Sequence, residues 1–144
     1  MRTIETTVDE PALAELVLAA RNAFERAYAP YSHFHVGAAL LDEHGQVHAG
    51  CNVENAAYPQ GLCAEAGALS ALVLSGARRV LAVAVVGLGE EPVVPCGGCR
   101  QKLREFAAED TPIVVADLDA IRARHTLGAL LPASFGPQHL RGPR

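Results

Sequence analysis

The chain has 144 residues, of which half are hydrophobic and 19% are charged, and its net charge is −4. This size and composition are ordinary for one globular domain, and we assign residues 1–144 to it. The acidic balance, with Lys102 as the single lysine, excludes an obvious basic face for phosphate backbones, so the expected partner is a small molecule and not a nucleic-acid polymer.

The first predicted element is an amphipathic helix over residues 9–28. Apolar side chains recur there at three- and four-residue steps, from Leu13 to Tyr28, with charged residues between them. Asp9 can cap the start of the helix and Pro11 suits its first turn, while Pro30 is expected to end it.

A hairpin and a polar loop are predicted next. Two strand-like segments, 35–41 and 46–51, flank the turn sequence Asp-Glu-His-Gly at 42–45. The loop at 52–62 is rich in Asn, Tyr, Pro and Gly, which is typical of a segment that builds a binding site.

The second half of the chain predicts two more helices and three more strands. The helix at 63–75 is apolar on nearly every side, which implies burial on all sides and, in so small a protein, a partner subunit. The continuous apolar segment 80–87 is typical of a central strand. A helix at 99–108 and strands at 113–116 and 121–125 complete an α/β fold, a three-layer α-β-α sandwich on a mixed five-stranded sheet.

The expected location is the cytoplasm, with no membrane partner. The first residues carry no apolar segment of the kind found in signal peptides, and the longest apolar run, 80–89, is too short to cross a bilayer. Four cysteines fit a reducing compartment better than a disulfide scaffold.

Three of the cysteines and a glutamate form the most informative pattern. The sequence C-A-E at 63–65 is followed by P-C-G-G-C at 95–99. A structural zinc site has four protein ligands, whereas a catalytic one has three and an open position. A single C-x-x-C pair, with Glu65 as a possible proton shuttle for zinc-activated water, favours the catalytic form. The same spacing is the three-cysteine form of the zinc deaminase motif.

The position of the motif in the predicted helices limits how it can work. Both halves lie where helices begin, and a helix N-terminus favours the thiolate. Because residues two apart do not share a helix face, Cys63 and Glu65 can serve one site only if the helix presents its end to it.

Other interpretations of these residues remain open at this point. A structural zinc site could be closed by Cys51 or by one of six histidines, with Glu65 as an ordinary first-turn carboxylate. Such a site would suit a non-catalytic, zinc-stabilised interaction module. Alternatively, Cys96 and Cys99 could form a redox dithiol.

Four blocks of the sequence resemble the small, homotetrameric, zinc-dependent cytidine deaminases of pyrimidine salvage. They are YSHFHVGAAL at 31–40, GCNVENAAYP at 50–59 running on to 63–65, PCGGCRQ at 95–101 and LLPASFGP at 130–137. The resemblance implies that family's fold, one Zn²⁺ per subunit, and hydrolytic deamination of cytidine and 2′-deoxycytidine to uridine and 2′-deoxyuridine with release of ammonia.

The resemblance also implies roles for individual residues. The metal ligands are Cys63, Cys96 and Cys99, and Glu65 is the catalytic proton shuttle. Substrate contacts are implied at six positions, which are Phe34, Asn52, Glu54, Tyr58, Ala64 and Phe135.

The resemblance gives specific roles to five of these six residues. Phe34 packs on the pyrimidine ring, and Tyr58 and Phe135 reach into a neighbouring subunit's site. Asn52 and Glu54, two apart in an extended segment, point the same way and suit sugar hydroxyls. On pattern alone, Phe34 could equally be a core residue, and Asn52 and Glu54 ordinary loop residues.

One position departs from the family pattern. Ala66 stands where the family usually has an arginine that offsets the charge of three thiolates. Arg100, directly after Cys99, is the expected remaining compensator, because a guanidinium can donate to two thiolates at once. Blasticidin S deaminases also lack that arginine, but Glu54 argues against them because they do not share the Asn-Val-Glu-Asn block.

Overall fold

The structure is a computed structural model that describes residues 6–141. The prediction that no signal peptide is present falls on residues 1–5, which lie outside this part of the chain. Among residues 6–141, no helix combines the length and the apolar character that a bilayer span requires. The elements in chain order are α1 (Glu10–Phe24), β1 (Val36–Asp42), β2 (Val47–Cys51), α2 (Ala64–Leu74), β3 (Val80–Gly87), α3 (Gly97–Arg104), β4 (Pro112–Ala116), β5 (Ile121–Thr126) and α4 (Leu127–Leu130).

The five strands form one mixed sheet in the order β2-β1-β3-β4-β5. Only β3 and β4 run parallel, and the other neighbouring pairs are antiparallel. The central strand β3 is buried along nearly its whole length, as its continuous apolar sequence predicts. The mixed five-stranded sheet is therefore confirmed.

Helices cover both faces of the sheet. On one face α1 packs against alternate residues of β1, β3 and β4 and buries five apolar side chains, which are Leu13, Leu16, Val17, Ala20 and Phe24. On the other face α2 and α3 pack against the intervening residues of the same strands. The three-layer arrangement predicted from the sequence is thus confirmed.

The contact between β2 and α2 is unusually close at Gly50. A Cβ atom at this position would lie 2.4 Å from the backbone nitrogen of Ala68 and 2.5 Å from the carbonyl oxygen of Ala64. Because only a hydrogen atom fits there, the start of α2 lies directly against the hairpin. This contact fixes the position of the helix end that carries Cys63 and Glu65.

Two predicted helix boundaries are wrong. Helix α1 ends at Phe24, not at residue 28. The backbone of Tyr28 instead pairs with the following loop, accepting from Glu54 N at 2.8 Å and donating to Asn52 O at 3.0 Å. Helix α3 spans Gly97–Arg104 rather than 99–108, because the chain then turns so that Phe106 O accepts a hydrogen bond from Val80 N at the start of β3.

Helix α2 is not buried on all sides in the single chain. Ala64, Ala68 and Leu72 face the sheet, whereas Leu74 is 89% exposed and Ser70 is also exposed. One face of a sheet can cover only one side of a helix, and α3 covers little of the rest. An apolar side of α2 therefore remains open in the single chain, as expected if one domain cannot cover this helix alone. Its burial by a partner subunit stays a prediction.

The β1–β2 hairpin is organised by the buried carboxylate of Asp42. Its Oδ1 accepts hydrogen bonds from the backbone nitrogens of His44 (2.8 Å) and Gln46 (2.9 Å), and its Oδ2 lies 2.7 Å from His48 Nε2. Burial acts to raise the pKa of Asp42, but the hydrogen bonds outweigh it and hold the pKa below its usual value. Gly45 completes the turn with a φ of 82°, a conformation that suits glycine.

Candidate active site

The three predicted metal ligands meet where α2 and α3 begin. Cys63 is the N-cap of α2, Cys96 is the N-cap of α3, and Cys99 lies in the first turn of α3. Their sulfur atoms all lie within 4.8 Å of one another, and the Sγ atoms of Cys63 and Cys96 are 3.8 Å apart. Tetrahedral zinc with Zn–S bonds of about 2.3 Å would separate its sulfurs by about 3.8 Å. The arrangement therefore fits zinc.

The electrostatics of the cluster also call for a cation. Burial raises the pKa of Cys99, and the neighbouring Glu65 carboxylate raises it further. Burial likewise raises the pKa of Cys63, whereas the backbone N–H of Cys99 is the main cause that lowers the pKa of Cys96. Three adjacent thiolates and a carboxylate would repel one another strongly, so this donor set suits a divalent metal that holds the sulfurs ionised.

The cluster supplies three ligands and no fourth. Within residues 6–141, Cys63, Cys96 and Cys99 alone form a group of His, Cys, Asp or Glu side chains that could hold a metal. Cys51 and the histidines lie outside it, and all four cysteines are free thiols. The described residues thus form neither a closed four-ligand site nor a Cys96–Cys99 disulfide. Three ligands with an open position are typical of catalytic zinc.

Glu65 lies beside the cluster in the first turn of α2. Its side chain is only 5% exposed and lines the adjoining cavity. Burial raises the pKa of this carboxyl, and the positive charge of Lys102 opposes that rise. The end of α2, not its side, faces the cavity, and this resolves how Cys63 and Glu65 can serve one site although they are two residues apart.

A cavity of about 600 Å³ opens next to the sulfurs. Its volume lies in the range of small-molecule sites, about 300–1,000 Å³. The cavity brings together five of the six predicted substrate contacts, which are Phe34, Asn52, Glu54, Tyr58 and Ala64. Tyr31, Val93 and Val94 also line it; sequence reasoning missed these three because nothing in their local pattern distinguishes them from core or loop residues.

Asn52 and Glu54 shape the loop that carries Phe34. Asn52 Oδ1 accepts from the backbone nitrogen of Val36 at 2.8 Å, and its Nδ2 donates to the carbonyl of Phe34 at 2.7 Å. The Glu54 carboxylate accepts from the backbone nitrogens of Tyr31 (2.9 Å) and Ser32 (3.1 Å) and from the Ser32 hydroxyl. Both side chains therefore border the cavity and also hold its wall in place.

Phe135 does not line the cavity of its own chain. Its ring is 57% exposed and stacks on His139 with centroids 4.9 Å apart. Its carbonyl accepts a hydrogen bond from Gln101 Nε2 at 2.8 Å, which ties the C-terminal segment to α3.

Arg100 does not make the predicted hydrogen bonds to the thiolates. Its Nε donates to the carbonyl of Pro95 at 2.7 Å, and one terminal nitrogen donates to the carbonyl of Leu130 at 2.8 Å. Leu130 ends α4, so its carbonyl has no partner within the helix and competes for the guanidinium. Arg100 therefore joins the segment before Cys96 to the end of α4.

Comparisons with known proteins agree with this geometry. The sequence model of the cytidine and deoxycytidylate deaminase zinc-binding region matches residues 12–115. A cytidine deaminase of Sporosarcina psychrophila is 43% identical over 88% of this chain and 93% of its own length. One of Mycobacterium tuberculosis is 46% identical over 76% of this chain and 79% of its own length. The crystal structure of cytidine deaminase from Burkholderia pseudomallei is similar, with a TM-score of 0.79 and 43% identity over 85% of this chain and 98% of that one.

Proposed function

The chain belongs to the cytidine deaminase family, and we propose from this membership which residues carry out each part of the reaction. The protein is a zinc-dependent hydrolase that converts cytidine to uridine and ammonia. We further propose that 2′-deoxycytidine is also a substrate and that the whole chain acts as one catalytic domain. The observation that carries the residue assignments is the position of buried Glu65 beside three sulfurs at one end of a cavity.

Cys63, Cys96 and Cys99 would hold the zinc through their thiolates. When bound, zinc acts as a Lewis acid that makes water a nucleophile at neutral pH. The amide dipoles at the starts of α2 and α3 help to keep the three sulfurs ionised. The side of the cluster that faces the cavity is the side from which a pyrimidine can approach.

Glu65 would move the protons. It takes one proton from the attacking water and delivers it to ring nitrogen N3 while oxygen adds to C4. It then passes the second proton to the amino group, the C4–N bond breaks, and ammonia leaves as the C4 carbonyl forms. Burial raises the pKa of Glu65, which suits a group that must return each proton it accepts.

The cavity wall would position the nucleoside. Phe34 packs on the pyrimidine, Ala64 borders the ring, and Asn52 and Glu54 contact the sugar hydroxyls. Hydrogen bonds from the Ser32 side chain and from nearby backbone amides lower the pKa of Glu54. Glu54 therefore remains an anion that can only accept hydrogen bonds, which matches the hydroxyl donors of a sugar.

The assembly we propose is a homotetramer whose sites are completed across subunits. Supporting features are the exposed rings of Tyr58 and Phe135 and the open apolar side of α2 with Leu74. In this arrangement Tyr58 and Phe135 of one subunit enter a neighbour's site. A stable, fully active monomer in sedimentation would contradict it.

We also propose a cytoplasmic location. The four cysteines are free thiols, and three of them must remain reduced to bind zinc. Reducing compartments maintain that state.

The test is deamination of cytidine, followed by the loss of cytosine absorbance, in the parent and in Glu65→Gln. The variant should keep its zinc and its fold, and lose about 10²–10⁴-fold in activity, the usual contribution of a general acid–base. Glu15→Gln is the matched control, because Glu15 is an exposed carboxylate on α1, across the sheet from the site. Equal activity of Glu65→Gln and the parent would overturn the assignment of Glu65.

A parent that binds zinc but deaminates neither cytidine nor 2′-deoxycytidine would refute the proposed activity. It would favour a non-catalytic zinc module instead. Turnover of blasticidin S without turnover of either nucleoside would point to an antibiotic deaminase.

A further inference from the structure

The hydroxyl of Ser32 lies between two other residues of the cavity wall. Ser32 itself lines the cavity, as do Phe34 and Glu54. The Ser32 Oγ donates a hydrogen bond to Glu54 Oε2 and accepts one from the backbone nitrogen of Phe34 at 3.0 Å. A serine hydroxyl has one proton to donate, so donation to Glu54 fixes the direction of that proton. The hydroxyl therefore joins the carboxylate proposed for the sugar to the residue proposed for the pyrimidine.

The carboxylate of Glu54 has room for one more hydrogen bond. A carboxylate offers about four lone-pair sites on its two oxygens. Oε1 accepts from the backbone nitrogens of Tyr31 (2.9 Å) and Ser32 (3.1 Å), and Oε2 accepts from the Ser32 hydroxyl. The site that remains is on Oε2. A substrate hydroxyl would therefore donate to that oxygen.

The direction in which Oε2 points depends on Ser32. The terminal torsion of a glutamate side chain is broad, so it does not by itself set the plane of the carboxylate. The two backbone amides hold Oε1 alone and would leave the carboxylate free to pivot about that oxygen. Among the residues that the structure describes, the Ser32 hydroxyl is the hydrogen-bond partner of Oε2. Removing it would release the oxygen that is open to the substrate.

The backbone around Ser32 is also held in an uncommon conformation. His33 has a φ of 60°, which few residues other than glycine adopt. The hydrogen bond from Phe34 N to the Ser32 Oγ spans this residue, and the carbonyl of Phe34 accepts from Asn52 Nδ2 at 2.7 Å. Such conformations persist where several contacts hold them, and they are concentrated at binding sites. The turn brings Ser32 and Phe34 to the same cavity.

We propose that Ser32 is a positioning residue that aims Oε2 of Glu54 at the sugar, and that it thereby sets how strongly the enzyme prefers a nucleoside with ring hydroxyls over one without them. This inference rests on the proposed function, and in particular on the sugar contact of Glu54. Ser32 acts through Glu54, because its own proton is already donated to that carboxylate.

The experiment measures kcat/KM for cytidine and for 2′,3′-dideoxycytidine, which lacks both ring hydroxyls, in the parent, Ser32→Ala and Ser75→Ala. Ser75 is the matched control. Its Oγ donates to the carbonyl of Leu72 at 2.6 Å and accepts from Ala77 N at 3.4 Å. Both substitutions thus remove a hydroxyl that makes two hydrogen bonds, but Ser75 lies at the opposite end of α2 from Glu65.

The ratio of kcat/KM for cytidine to that for the dideoxynucleoside should fall about tenfold in Ser32→Ala, the scale of one hydrogen bond to a charged group. The fall should come mainly from a higher KM for cytidine. Ser75→Ala should keep the parent ratio even if it lowers the melting temperature as much. Ser32→Thr, which retains the hydroxyl, should restore the ratio. In a Glu54→Ala background, Ser32→Ala should change the ratio no further, because the two residues act as a pair.

Equal losses for both nucleosides in Ser32→Ala would overturn the proposal, because the hydroxyl would then only support the loop. An unchanged ratio in Ser32→Ala would overturn it too, and so would a fall in the ratio that persists in the Glu54→Ala background. A parent that deaminates neither nucleoside would refute the proposed function and this inference together. An active parent whose ratio does not depend on Ser32 would refute this inference alone.

Discussion

Adding one methyl group at Gly50 should move helix α2, which carries Glu65. Its Cβ would lie 2.4 Å from the backbone nitrogen of Ala68, whereas ordinary van der Waals contact begins at 3.4 Å. The atoms in the way belong to the backbone of α2 and cannot rotate aside. The helix must therefore shift by about 1 Å relative to β2.

The cost of this shift can be worked out for both stability and activity. Inserting a methyl group into a packed contact costs about 1–3 kcal/mol, and contact with rigid backbone places Gly50→Ala near 3 kcal/mol. In a protein of this size the melting temperature should fall by about 10 °C. Since Cys63 caps α2 and Glu65 lies in its first turn, a misplacement of about 1 Å should also lower kcat/KM about 100-fold.

Gly67→Ala is the matched control, because Gly67 lies across the same contact. A Cβ at position 67 would be 3.8 Å from the Cα of Gly50, which is ordinary contact distance. The same methyl group should here stabilise the protein by about 0.5–1 kcal/mol, since alanine favours the interior of a helix over glycine. The two substitutions should therefore have opposite signs.

The assay is thermal denaturation of the zinc-loaded proteins by circular dichroism, together with kcat/KM for cytidine. The reasoning fails if Gly50→Ala melts within about 2 °C of the parent and retains full activity. It also fails if Gly67→Ala is as destabilising as Gly50→Ala, because the contact would then be equally tight from both sides.

Three further predictions concern other parts of the molecule. Phe135→Ala should raise KM for cytidine several-fold with kcat nearly unchanged, if the ring enters a neighbour's site; an unchanged KM would contradict that role. Asp42→Asn should lower the free energy of unfolding by about 2 kcal/mol at pH 7. Because the folded protein depresses the pKa of Asp42, its contribution to stability is present above the unfolded value of about 3.9. The contribution is lost as the pH falls through the lower folded pKa, so urea denaturation should show the difference between the two proteins fading below about pH 4. Arg100→Gln should lower the melting temperature by about 10 °C, since two hydrogen bonds from a charged donor, worth about 1.5 kcal/mol each, are lost. The sulfur-to-metal charge-transfer absorption of the Co²⁺-substituted protein should stay nearly unchanged; a shifted absorption would restore the role first predicted for Arg100.

The features predicted well from the sequence depend on local spacing. Strand β3 has the predicted bounds, 80–87. A continuous run of apolar residues is by itself the sequence pattern of a strand that is buried on both faces. The C-A-E and C-x-x-C sequences predicted sulfurs at two helix starts, and the structure places Cys63, Cys96 and Cys99 there within 4.8 Å. The spacing of Asn52 and Glu54 likewise predicted two side chains on one wall, and both line the cavity.

The features predicted poorly depend on partners far away in the chain. The apolar period of α1 continues to residue 28, but the backbone of Tyr28 is taken by Asn52 and Glu54. Arg100 directly follows Cys99, a predicted metal ligand, yet one of its acceptors is the carbonyl of Leu130, thirty residues later. The sequence does not reveal these distant partners, because a carbonyl or N–H group far away in the chain satisfies a hydrogen-bonding group as well as a nearby one does.

The double engagement of Glu54 constrains how the specificity of this enzyme can evolve. Its carboxylate faces the cavity and also accepts the hydrogen bonds of Tyr31 and Ser32 that hold the loop before Phe34. A mutation at position 54 would therefore change the proposed sugar contact and, at the same time, remove the hydrogen bonds that hold the loop carrying Phe34. Val93 and Val94 line the same cavity, and their side chains carry no hydrogen bonds to lose. New substrate preferences can accumulate at those two valines while Glu54 remains fixed.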